Sequence, residues 1–170
     1  MSTLRNSAIL WIVEKLAEKS IELRGNPKPE MYAGYLTVLV RGEPGFALCS
    51  RVGVFVDDPE QYLILSQEKA ERLQGLWHKH LSSWQSRDPD NGRWGGAIIA
   101  DQLIFSFSGP PELVCEAIVT VAAYWLGEIT EYSQVLKIAD ISRNPFTEEL
   151  VDRIRHWPSL ADFDNLDYRH

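Results

Sequence analysis

Cysteine is scarce in this chain. Cys49 and Cys115 are the only two among 170 residues, too few for a disulfide-rich scaffold and too far apart for metal-type spacing. Both read as reduced, buried small residues. Positive charge is also short. There are 17 Lys and Arg against 24 Asp and Glu, a formal net charge of −7, and a dedicated nucleic-acid binder usually shows a basic face. No apolar run approaches the roughly 18 residues that a spanning helix needs. The N-terminal run Ala8–Val13 is cut off by Glu14 and Lys15 and lacks a cleavage site, so it reads as part of a soluble helix rather than a signal peptide. Catalytic signatures are missing too. There is no G-x-G-x-x-G and no Walker A sequence. Phe107-Ser108-Gly109 lacks the preceding glycine of a nucleophile elbow. These absences lead to the expectation of a cytoplasmic protein that binds neither membrane nor nucleic acid and has no catalytic residues to nominate.

What is present is an ordinary globular composition: 45% hydrophobic, 24% charged, with six each of Trp, Tyr and Phe. The length fits one domain, taken as residues 1–157 with an acidic tail at 158–170. Ile9, Ile12, Val13, Leu16, Ile21 and Leu23 recur at helical spacing, and Gly25, Pro27 and Pro29 stop that helix. Gly34–Arg41 and Phe46–Arg51 read as two strands of a hairpin around Gly42–Gly45. Asp57-Asp58-Pro59 is a break, and Gln61–Leu65 reads either as a short strand or as the first turn of the next helix. From Ser66 a helical face runs through Ala70, Leu73, Leu76, Trp77, His80, Leu81 and Trp84. A polar loop at 82–96 follows, with Trp84 and Trp94 near its ends and exposed as binding anchors would be. Ala97–Ala100 and Leu103–Phe107 form a second hairpin about Asp101-Gln102. Ser108 is placed to cap a third helix, whose wide apolar face makes it the most buried element. Gly127 ends it. Val135–Ile141 reads as a fifth strand, and Asn144-Pro145 opens a last helix bearing Leu150, Val151 and Ile154. Hairpins separated by helices predict an α+β domain, with an antiparallel sheet of about five strands and helices packed on it.

Three stretches carry a resemblance to a known family. TVLVRGEPGFALCSRVGV (37–54), YLILSQEKAERL (62–73) and GGAIIADQLIFSFSGPPELVCEAI (95–118) are similar to the words of the GlcG-like family, which includes the haem-binding HbpS proteins and the C-terminal domain of PduO. The likeness covers about residues 8–127 and implies a profilin-like or PAS-like fold. The chain departs from the family pattern in several places. The hairpin after Gly95-Gly96 is shorter, Val52-Gly53 replaces a Met-Asp pair, Glu116 only approximates an acidic position, and nothing beyond Gly127 corresponds. No histidine precedes His78, so the resemblance does not carry haem binding over.

Arg51 and Lys69 match basic positions of those family words. With the backbone donors at Ser108 and Gly109, near a helix start, they form a candidate site for a small anionic ligand, because a helix N-terminus offers free N–H groups and positive potential. The plainer reading makes both solvated surface charges. Arg72, one turn after Lys69, fits either picture. His78 and His80 point to different sides of a helix and cannot share a metal. His80 alone is a candidate axial ligand for haem iron. No cofactor and no metal site are otherwise expected. Asp162, Asp164 and Asp167 resemble a calcium loop only in part, lacking its glycine and closing glutamate. The function these residues suggest is small-molecule binding or an accessory role, with a small anion as ligand. The alternatives are a protein-interaction or homo-oligomeric assembly subunit, and an enzyme using a haem or flavin-like cofactor.

Overall fold

The computed structural model describes residues 3–23, 32–53 and 60–159. The elements run α1 (Thr3–Leu23), β1 (Gly34–Val40), β2 (Leu48–Val52), α2 (Glu60–Gly75), β3 (Ala97–Ala100), β4 (Leu103–Ser108), α3 (Glu112–Trp125), α4 (Tyr132–Ser142) and α5 (Thr147–Ile154). The class is α+β. The stops at Gly25, Pro27 and Pro29, the break at 57–59 and the tail aspartates from 162 lie outside the described residues.

The sheet is antiparallel with order β2-β1-β4-β3. Alternation along its strands sorts side chains onto two faces. Leu36, Val38, Phe105, Phe107, Ile98 and Ala100 face the larger core, with α1, α3 and α5. Leu39, Ile104, Ala97 and Ile99 face α2, meeting Ala70 and Leu73. The turn at Asp101-Gln102 joins β3 to β4, with Asp101 left-handed (φ 44°). α3 is the most buried helix, ten of its fourteen residues being buried, and it ends before Gly127 (φ 74°).

Four expectations are corrected. Among the described residues the sheet has four strands, because Val135–Ile141 lies in α4. Val135, Ile138, Ala139 and Ser142 are its buried residues, a helical period that β-branched content had disguised. The free edge of β3 is covered instead by the chain at 81–82, through Ile99 N–H to Leu81 O (2.9 Å) and a Ser82–Ile98 bridge. Gln61–Leu65 is helical, whereas α2 stops at Gly75 and leaves Trp77 exposed and His80 in the following turn. Leu81 and Trp84 therefore belong to another segment. Ser108 does not cap α3. It is the buried last residue of β4, and Pro110-Pro111 separate it from the helix, whose N-cap is Pro111. Cys115 is buried as expected, but Cys49 is exposed on the outer strand β2.

The polar segment 82–96 is ordered by charge. It holds two short 3-10 turns, Ser83–Ser86 and Pro89–Asn91, and the first has a reciprocal capping box between Ser82 and Gln85. From α2, Arg72 donates to Ser83 O (3.1 Å), Ser86 O (3.0 Å), Ser86 Oγ and Trp94 O (2.6 Å), while Glu68 takes its Nε–H at 2.7 Å. From α3, Glu116 accepts from Ser82 Oγ, and on its other oxygen from Ser142 Oγ and Asn144 Nδ2. Trp84 and Trp94 are half-buried rather than exposed, with the Arg87 guanidinium 4.9 Å and 5.8 Å from their rings.

Arg72→Ala is expected to lower unfolding free energy by about 3 kcal/mol in urea titration, because it strands several part-buried carbonyls at once. Burial holds the Glu116 carboxyl above its ordinary value of 4.5, against the opposing hydrogen bonds of Ser142, Ser82 and Asn144. The folded state therefore keeps a proton that the unfolded chain releases, and stability falls as pH rises from about 4.5 through the raised value. Glu116→Gln is expected to remove that fall when unfolding midpoints are compared across pH 4 to 8.

Candidate functional site

A cleft of about 390 Å³ opens between the first turns of α2 and the loop that enters α3. Lys69, Ser108 and Gly109 line it, together with Tyr62, Gly95, Glu112 and Cys115. Three of the four candidate residues thus meet in one place. Arg51 is not among the lining residues. The strand register nevertheless puts Arg51, Tyr35 and Ser108 in one row across β2, β1 and β4. Residues opposite one another share a face of the sheet, so Arg51 stands exposed on the α2 side, about 10 Å from Ser108 by strand spacing.

Lys69 is not a solvated surface charge. It is 2% exposed, and its amine donates to the backbone carbonyl of Phe107. Room for that amine comes from the double glycine. A Cβ on Gly96 (φ 109°) would sit 2.9 Å from Lys69 Nζ, 2.9 Å from Cys115 Cβ and 3.1 Å from Phe107 O. Cys115 Sγ in turn donates to Pro110 O at 3.0 Å. Gly109 (φ 153°) fills a similar role on the opposite wall, since a Cβ there would lie 2.0 Å from Ala33 O. Only glycine fits such a close approach of two backbones.

The electrostatics of the cleft are unequal. Burial pushes the Lys69 amine below its ordinary value of 10.5. The Cys115 sulfur and the Glu112 and Glu68 carboxylates pull the other way, and Arg72 adds to the lowering. Burial also works against the charge on Glu112, but Arg87 and Gly95 outweigh it and hold the carboxyl below 4.5. Arg87 meets Glu112 with two hydrogen bonds of 2.8 and 2.9 Å, and the Gly95 N–H donates at 2.7 Å. The Glu112 carboxylate is therefore already neutralised from outside the cleft. The first N–H groups of α3 receive no side-chain cap.

Sequence reasoning missed Glu112, Cys115 and the use of Gly95-Gly96. The double glycine was the available signal. A glycine pair just before a buried strand marks close backbone approach. Among the described residues no histidine lines the cleft. His80 follows α2 in a turn, half-buried, so the cleft brings no imidazole to a haem iron. Among the described residues no group of three or more His, Cys, Asp or Glu side chains is placed to hold a metal ion. None of the helices among them is long and apolar enough to cross a membrane.

Fold and cleft together define an α+β domain with a buried amine at the wall of a polar-ended cavity. Comparison with family models, curated proteins and solved structures finds no match to this chain.

A lowered lysine gives a signed expectation. Between its folded value and 10.5 the unfolded chain binds a proton that the folded chain does not. Stability therefore rises with pH across that window. In Lys69→Met, thermal unfolding midpoints are expected to lose this alkaline rise relative to wild type, and to be higher than wild type near pH 7, where the penalty of burying the charge is removed.

Proposed function

We propose that this protein is a small-molecule-binding or accessory domain whose ligand occupies the cleft between α2 and the start of α3. The observation that carries the reading is Lys69. A 2% exposed lysine that meets a single carbonyl, in the wall of a 390 Å³ cleft, is a group prepared for something other than packing. Its N–H groups and the uncapped amides at the start of α3 favour an acceptor, and a carboxylate or phosphate is the natural guest. Arg51, on the same sheet face about 10 Å from Ser108, adds positive potential to that face. Gly109 and Ser108 shape the floor. The likeness to the GlcG-like family and the profilin-like fold it implies belong to the same proposal, as do a cytoplasmic location and the lack of catalysis of its own.

The alternative, an interaction or homo-oligomeric subunit, draws on Phe46, Ile64 and Trp77, apolar side chains that stand exposed on the β1–β2 hairpin and at α2. Light scattering separates the two, since an assembly subunit gives a mass above that of one chain.

Binding is tested by titrating the protein with lactate and with inorganic phosphate while following the amide NMR signals of Gly95, Gly96, Gly109 and Glu112. Saturable shifts confined to these amides are expected. Lys69→Met should weaken binding by up to about tenfold, the scale of one hydrogen bond, and Arg51→Ala by about twofold to threefold, as a screened surface charge would. Absence of any saturable shift, with native mass spectrometry showing no co-purifying molecule, overturns the proposal.

A further inference from the structure

We infer that the Lys69 amine captures a small carbonyl compound in the cleft as a reversible imine. This rests on the cleft being a ligand site and adds the chemistry by which the site holds its ligand.

Three observations converge on the amine. It is the one lysine among the described residues that is buried. Lys15 and Lys19 are paired with Glu18 and Glu22, while Lys79 and Lys137 are exposed. It makes no ion pair within the described residues, although Glu112 lies in the same wall, because that carboxylate is taken up by Arg87 and Gly95. And it is fixed in place: Phe107 O accepts one N–H, while Gly96, without a Cβ, leaves the space beside it clear. Burial outweighs the nearby carboxylates, so the amine is pushed towards its neutral form. The neutral form carries the lone pair that attacks a carbonyl carbon.

The step balances without a further reagent. The nitrogen lone pair forms a C–N bond to the carbonyl carbon, and the C=O π pair moves to oxygen, which takes up a proton while nitrogen releases one. The resulting carbinolamine then loses water, giving a C=N bond to Lys69 and one molecule of water. Nothing is oxidised or reduced, and hydrolysis reverses it. A 2-oxo acid meets both halves of the cleft, its carbonyl at Lys69 and its carboxylate at the uncapped start of α3. The chemical class proposed is therefore a small aldehyde or ketone acid.

The test incubates the full chain with pyruvate and sodium cyanoborohydride near pH 7, where hydride adds to the imine carbon and makes the link permanent. Intact mass and peptide mapping are expected to show one adduct per chain, on the peptide containing Lys69. It should form faster there than at Lys15, Lys19, Lys79 and Lys137, since a lowered pKa leaves more of the amine free near pH 7. Lys69→Arg and Lys69→Met should both lose it, and the wild-type peptide map decides the matter even if neither variant folds. Label spread evenly over the lysines, or absent from Lys69, overturns the inference. If pyruvate and lactate still shift the cleft amides in that case, the ligand site stands and only the covalent step falls. If neither acid shifts them and no label appears, both fall.

Discussion

The segment between α2 and β3 stays where it is because charges on two helices grip it from opposite sides. Arg72 on α2 satisfies the carbonyls of Ser83, Ser86 and Trp94. Glu112 and Glu116, one turn apart on α3, take the Gly95 N–H and the Ser82 hydroxyl. Ala97 N–H, on the first residue of β3, closes the arrangement on Ser83 Oγ at 2.9 Å. Without these contacts a run this rich in Ser, Asp, Asn and Gly would be free to leave the surface. With them it covers the β3 edge and builds one wall of the cleft. Edge protection and site formation are therefore the same event.

That arrangement also explains how a lysine comes to be buried. α2 crosses the sheet with Ala70 and Leu73 packed on Leu39 and Ile104, which fixes the position of Lys69 one residue earlier. Toward the start of α2 the contact turns polar. Ser66 Oγ donates to Thr37 Oγ1 at 2.7 Å, and Ser106 Oγ is buried without a partner. Lys69 continues this polar strip to the end of β4. The cost of desolvating its charge is offset only in part by one carbonyl, and packing elsewhere in α2 and the larger core supports it. Buried strain of this kind is tolerated in a fold whose core is otherwise apolar and continuous, as the cluster from α1 through α5 is.

Much of the fold could be read from local pattern. Helices α1, α3 and α5 showed their apolar stripes, and both hairpins showed their turns. α4 was misread because Val, Leu, Ile and Ile within seven residues suggest a strand until their three- and four-residue spacing is weighed. The end of α2 was misread because Leu76, Trp77 and Leu81 continue a helical spacing that Gly75 interrupts. Of the site, the basic residues and the Ser108-Gly109 turn were legible as residue types at the ends of elements. Their surroundings were not, since the difference between an exposed and a buried amine depends on neighbours from β4, α3 and the 95–96 pair.

The amino-acid sequence alone determined the α+β class, the acidic balance and most element positions, because these follow from spacing along the chain. Tertiary structure alone decided that Lys69 is buried, that Arg87 and not Lys69 forms the ion pair with Glu112, and that Arg51 stands on the same sheet face without lining the cleft. The reason is physical. Desolvation and ion pairing depend on which groups approach within a few ångströms, and here those groups come from positions as far apart as 69, 96, 107 and 115.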